Sequence, residues 1–111
     1  MKLPSDTEIA MEKLTRYLLV PLAKSDKSHW LARGGYTAAN PDRLIDDLRT
    51  QILTLNATPS RKTPFGEAFE IRGELHGPSG HPISVRTIWL KRPLSGRFHF
   101  VTLIPLSTRL K

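Results

Sequence analysis

Residues 68–104 read AFEIRGELHGPSGHPISVRTIWLKRPLSGRFHFVTLI, and their pattern decides the fold. Phe69, Ile71 and Leu75 alternate with Glu70, Arg72, Glu74 and His76; Ile83, Val85, Thr87 and Trp89 alternate with Ser84, Arg86, Ile88 and Leu90. Phe98, Phe100, Thr102 and Ile104 alternate with His99, Val101 and Leu103. A period of two, rich in β-branched and aromatic residues, predicts strands. Gly77-Pro78-Ser79-Gly80 and Pro93-Leu94-Ser95-Gly96 carry the turn chemistry between them. The prediction is an antiparallel meander with one apolar and one polar face.

Upstream, the period lengthens. Pro4-Ser5-Asp6-Thr7 reads as a helix entrance, and Ile9, Leu14, Tyr17 and Leu18 predict a helix from about Glu8 to Leu19, closed by Val20-Pro21. Ser25 or Asp26 is the expected cap of a short second helix through Trp30, Leu31 and Ala32, with Gly34-Gly35 as its expected stop. Asn40-Pro41 starts a third, whose stripe is Leu44, Ile45, Leu48, Ile52 and Leu55. Asn56 to Thr63 reads as a basic connector with a short edge strand. The expected architecture is α+β, with N-terminal helices packed on a C-terminal antiparallel sheet of three to four strands. It forms a single domain over 1–111: helical part 5–56, sheet part 57–106, basic tail 107–111.

A chain of 111 residues supports one modest core. With no cysteine there is no disulfide framework or thiolate metal site, which suits a reducing cytoplasm. No apolar run approaches the roughly 20 residues of a membrane span, and the start MKLPSDTE lacks the apolar core of a signal peptide. The net charge is +7, unevenly placed. All ten acidic residues lie at or before Glu74, while Arg86, Lys91, Arg92, Arg97, Arg109 and Lys111 put +6 in the remainder. Such a surface attracts polyanions, so nucleic acid or an acidic protein is the expected partner.

Phosphate-loop, dinucleotide, zincin and nucleophile-elbow motifs are absent, and His29, His76, His81 and His99 lack ligand spacing; no metal or cofactor is expected. The candidate site lies on the strands. Turns centred near Ser79 and Leu94-Ser95 set Arg72 opposite Arg86 and Arg86 opposite Thr102. Facing guanidinium groups need an anion between them, and with the Thr102 hydroxyl they would form a phosphate clamp. The alternative is that Arg72 and Arg86 pair with Glu70, Glu74 or helix carboxylates. His99 falls out of phase with Thr102 and is expected on the other face. Lys27 and His29 are candidates for proton transfer, although about 200° apart on a regular helix they do not face one pocket together. Lys91, Arg92 and Arg97 are candidate substrate-binding cations. Trp89, Phe98 and Phe100 read as core.

The stretches MKLP, KLTRYLL, DKSHWLARGGY, TPFGEAFEIRGELHGPSG, VRTIWL and FVTLIP resemble a bacterial domain family of unknown function. That family occurs as small standalone proteins and at the tails of polymorphic toxins. Its layout is similar to the barnase/EndoU/colicin/RelE-like toxin nucleases. The resemblance implies a metal-independent ribonuclease acting on tRNA or mRNA, with an acidic antitoxin or immunity protein as partner. Lys27 matches the family's lysine before an aromatic pair, Arg86-Thr87 and Trp89 its Val-x-Thr-Val-Trp strand, and Thr102 its last-strand threonine. Trp30-Leu31 stands where the family has two aromatics, and Glu67 where it often has a basic residue. Other readings of the same residues are a non-enzymatic basic binding module, or a phage- or plasmid-borne inhibitor.

Overall fold

A computed structural model describes residues 1–13 and 28–106. The elements in order are α1 (Met11–Lys13), α2 (Ser28–Arg33), α3 (Pro41–Asp47) with one continuing π-helical turn (Leu48–Ile52), β1 (Thr58–Thr63), β2 (Gly66–Leu75), β3 (Ile83–Lys91) and β4 (Phe98–Pro105). The strands form one antiparallel sheet in the order β1-β2-β3-β4, an α+β meander preceded by helices. The first helix starts at Met11 and not at the expected Glu8, whose backbone is taken up in pairing with β4; the rest of that helix, and the Ser25 and Asp26 caps, lie outside the described residues.

The alternation on β2 and β3 follows the sequence. Phe69, Ile71, Leu75, Ile83, Val85, Thr87 and Trp89 are buried on one face. Leu44, Leu48 and Ile52 cover that face from α3 and its π turn, and all three are fully buried. Gly73 lets Ile52 and Leu55 approach the sheet: a Cβ there would stand 2.7 Å from Leu55 Cδ1 and 3.0 Å from Ile52 Cδ1. Pro41 begins α3 as expected, but Asn40 does not cap it. Its side chain is committed to the preceding turn, where Nδ2 donates to Gly35 O at 2.9 Å and Oδ1 accepts from Thr37 N–H at 2.7 Å. Tyr36 and Asp47 join α3 to the core through a buried 2.5 Å hydrogen bond, backed by Arg43 Nε at 3.0 Å from the same carboxylate. Burial, then Asp47, push the Tyr36 phenol well above its ordinary value.

β4 breaks the phase that its sequence suggests. The register runs Trp89↔Phe100 and then Ile88↔Thr102, so a bulge leaves Val101 as the extra residue. Phe100 and Leu103 face the core, while Thr102 and Ile104 turn outward. One uniform alternation over Phe98, Phe100, Thr102 and Ile104 is therefore wrong after Phe100. The same bulge brings His99, paired with Leu90, onto the face of Thr102.

The two sheet edges differ. Along β4, Glu8 N–H donates to Phe98 O at 3.0 Å and Phe100 N–H to Glu8 O at 2.7 Å, so the N-terminal segment covers that edge. β1 lies along the other edge with the sequence TPSRKT, exposed except for half-buried Thr63. Proline and paired cations are residues that discourage strand addition. Gly66 opens β2 at φ 136°, and a Cβ there would collide with Lys91 O. Gly66→Ala is expected to cost roughly 1–3 kcal/mol or more, read as a lower urea midpoint at unchanged slope.

Candidate functional site

Among the described residues no helix covers the face of the sheet turned away from α3, and strand pairing arranges that face as rows. One row is Arg72–Arg86–Ile104, the next Thr58–Glu70–Ile88–Thr102, the third Arg61–Ala68–Leu90–His99. Arg72 does pair with Arg86. Arg86 does not pair with Thr102: its partner is Ile104, and Thr102 sits one row along, because the bulge shifts β4 by one residue. Glu70 supplies the anion between the two guanidinium groups. Its Oε2 accepts from Arg72 Nε at 2.6 Å and its Oε1 from Arg86 Nε at 2.7 Å. Arg72 lies two residues along the same strand and Arg86 is the cross-strand diagonal neighbour, both within reach of a long side chain. The clamp is thus occupied by the protein's own carboxylate, which was the alternative open at the level of sequence.

The carboxylate is 18% exposed, Arg86 33% and Arg72 65%. The hydrogen bonds from Arg72 and then from Arg86 hold the Glu70 carboxyl below the ordinary value of 4.5, against the opposing effect of burial. A depressed carboxyl gives stability that is present above the unfolded value and lost as pH falls through the folded one. Glu70→Gln is therefore expected to be less stable than the parent at pH 7. Chemical denaturation should find that gap closing as pH drops below about 4.5.

On one side of Glu70 is a depression lined by Asn56, Thr58, Pro59 and Arg72. On the other, a groove of about 840 Å³ runs over Ala68, Ile88, Leu90, Val101 and Ile104, with Arg61, Lys62 and Arg86 at its margins. Its floor is apolar and its rim cationic.

The remaining candidates separate. Thr102 shares a row with Glu70, two strands away or about 10 Å. Lys91, Arg92 and Arg97 lie at the far end of β3 and in the turn that follows it. Lys91 is about 16 Å from Arg86 along the strand. Lys91 Nζ stands 5.9 Å from the Phe98 ring centroid, and Arg92 is 3.7 Å from Glu8. Lys27 lies outside the described residues; the backbone of His29 is in α2. Sequence reasoning gave Glu70 only the part of a neutralising partner and passed over Thr58 and Arg61. The available signal was an acid two residues before an arginine on the outward phase of a strand. Among the described residues no cluster of three or more His, Cys, Asp or Glu could hold a metal, and no helix is long and apolar enough to cross a membrane.

The fold is an α+β meander, and the sheet face turned away from α3 carries a carboxylate held by two arginines. The chain belongs to the family described as Domain of unknown function (DUF6883), whose model matches residues 2–107. No curated protein matches it. Among solved structures it is similar to a chain of a contact-dependent growth inhibition toxin–immunity protein complex from Klebsiella pneumoniae 342. The identity is 16%, the coverage 91% of this chain and 94% of that one, and the TM-score 0.54, a likeness of fold.

Proposed function

We propose that this domain is a toxin-type ribonuclease that cuts tRNA or mRNA without a metal, with Glu70, Arg72 and Arg86 at its centre. The observation that carries the reading is a carboxylate kept ionised between two guanidinium groups on the sheet face turned away from α3. The shared fold with a chain of a toxin–immunity complex supports placing it in such a pair, opposite an acidic protein.

Glu70 takes the proton of a ribose 2′-hydroxyl as the 2′ oxygen attacks the adjacent phosphorus. A cyclic 2′,3′-phosphate forms, the bond from phosphorus to the 5′ oxygen breaks, and that oxygen receives a proton from His29 or Lys27. Arg72 and Arg86 neutralise the phosphorane, whose negative charge grows toward the transition state. Each holds Glu70 through Nε–H, one of the five donors of an arginine, so the outer ends of the fork face the phosphate. Thr102 positions a non-bridging oxygen, and Lys91, Arg92 and Arg97 bind phosphates farther along.

The same ion pairs favour a second reading. Arginines neutralised by Glu70 fit a non-enzymatic module whose basic face binds nucleic acid or an acidic protein without chemistry. Purified protein incubated with total RNA in EDTA separates the two. The ribonuclease reading expects defined fragments ending in cyclic phosphate, lost in Glu70→Gln and Arg86→Ala; intact RNA with a folded parent protein sinks it.

A further inference from the structure

Two hairpin turns project from the same end of the sheet, and each carries a large apolar side chain in solvent. Phe65, between β1 and β2, is 76% exposed, and Leu94, between β3 and β4, is fully exposed. Both turns are internally braced. Phe65 N–H donates to Thr63 Oγ1 at 3.1 Å, and Thr63 Oγ1 donates to Gly66 O at 2.9 Å. Arg92 N–H donates to Arg97 O and Gly96 N–H to Arg92 O, each at 2.9 Å. Between them opens a cleft of about 780 Å³ with Leu90 and Val101 on its floor and Arg92 and His99 beside it. Pro64, Phe65, Leu90 and Val101 also line the groove that reaches Arg86, so cleft and groove form one continuous channel.

We propose that this cleft is a nucleobase subsite, in which the ring of Phe65 stacks on an unpaired base of single-stranded RNA whose backbone follows the groove past Arg61 and Lys62. The inference rests on the ribonuclease reading for its substrate and adds where a flanking nucleotide binds. An aromatic ring held out by a braced turn loses little freedom on binding, and every base has a face to offer it. The surroundings are cationic: Arg61, Lys62 and Arg92 line the channel and match a phosphate backbone. The geometry also fixes the spacing. From Arg86 to Leu90 is four strand residues, about 13 Å, which is about the reach of two nucleotides in an extended strand. The stacked base therefore belongs to a neighbour of the reacting ribose, not to that ribose itself.

The test is binding of a labelled single-stranded DNA oligonucleotide, which has no 2′-hydroxyl and stays uncut, followed by fluorescence anisotropy. Phe65→Ala is expected to weaken binding roughly 5- to 150-fold. The slope of affinity against salt should not change, because no phosphate contact is lost. Phe65→Trp is expected to keep the affinity, with its emission quenched on binding. Unchanged affinity in a folded Phe65→Ala protein overturns the subsite, as does a Phe65→Trp emission blind to the oligonucleotide. Loss of affinity only for an acidic protein partner overturns it too and makes the cleft a protein-docking site. RNA cleaved by a protein whose oligonucleotide binding ignores Phe65 refutes the subsite alone; Phe65-dependent binding with RNA left intact upholds the subsite and refutes the ribonuclease.

Discussion

Glu70→Gln is expected to lower the rate of RNA cleavage by about 10²- to 10⁴-fold while leaving oligonucleotide binding as tight as before or tighter. The amide keeps the shape of the carboxylate and can still accept a hydrogen bond, but it cannot take a proton. Removing the negative charge also releases Arg72 and Arg86 from ion pairs with 2.6 and 2.7 Å contacts, so both become freer to bind phosphate. A residue that merely holds the face together would lose binding and cleavage in parallel when replaced. Opposite movement of the two quantities, measured by single-turnover cleavage and by anisotropy, is the signature of a base. If Glu70→Gln cuts RNA at the parent rate, Glu70 is not the proton acceptor. Arg86→Ala should raise the barrier by about 2–4 kcal/mol, as loss of a charge-stabilising donor does elsewhere.

The largest effect on stability is expected at Trp89. It is fully buried and packs edge-on against Phe100, with ring centroids 5.2 Å apart. Its indole N–H donates to Thr87 Oγ1 at 2.7 Å, and the Thr87 hydroxyl donates to Ile71 O on β2 at 2.8 Å. Thr87 thus relays a hydrogen bond from the side chain of one core residue to the backbone of the next strand. Trp89→Ala should cost about 3–5 kcal/mol, a large share of a stability of about 5–15 kcal/mol. Thr87→Val should cost about 1–3 kcal/mol, because the indole N–H is left buried without its partner. In a Thr87→Val/Trp89→Phe double variant the loss should be smaller than the sum of the single ones, since donor and acceptor leave together. Urea unfolding followed by near-ultraviolet circular dichroism reads all three. Both residues face away from Glu70, so activity per folded molecule should not change.

Much of the fold is legible in the sequence where a segment buries one face. β2 and β3 alternate cleanly, and the register that sets Arg72 beside Arg86 follows from the Gly77–Gly80 turn. Pro41 and the Leu44, Leu48, Ile52 stripe mark the third helix. β1 is faint because TPSRKT has no apolar alternation; its strand character comes from pairing with β2. β4 misleads because FHFVTLI permits two phases, and only the partner strand selects the break at Val101. The site was half legible. The arginines stood out as charges, whereas Glu70 is one acid among three on β2, and its role depends on a diagonal contact across strands.

The displaced residue in β4 matters whenever this chain is aligned with others of its family. Pairing Val101 in regular alternation, without the bulge, would exchange the destinations of Thr102 and Leu103, turning a hydroxyl inward and a leucine out. Two relatives with the same letters in their final strand can therefore present different chemistry to the outside. At equal length, their columns compare like with like only where the bulge is kept.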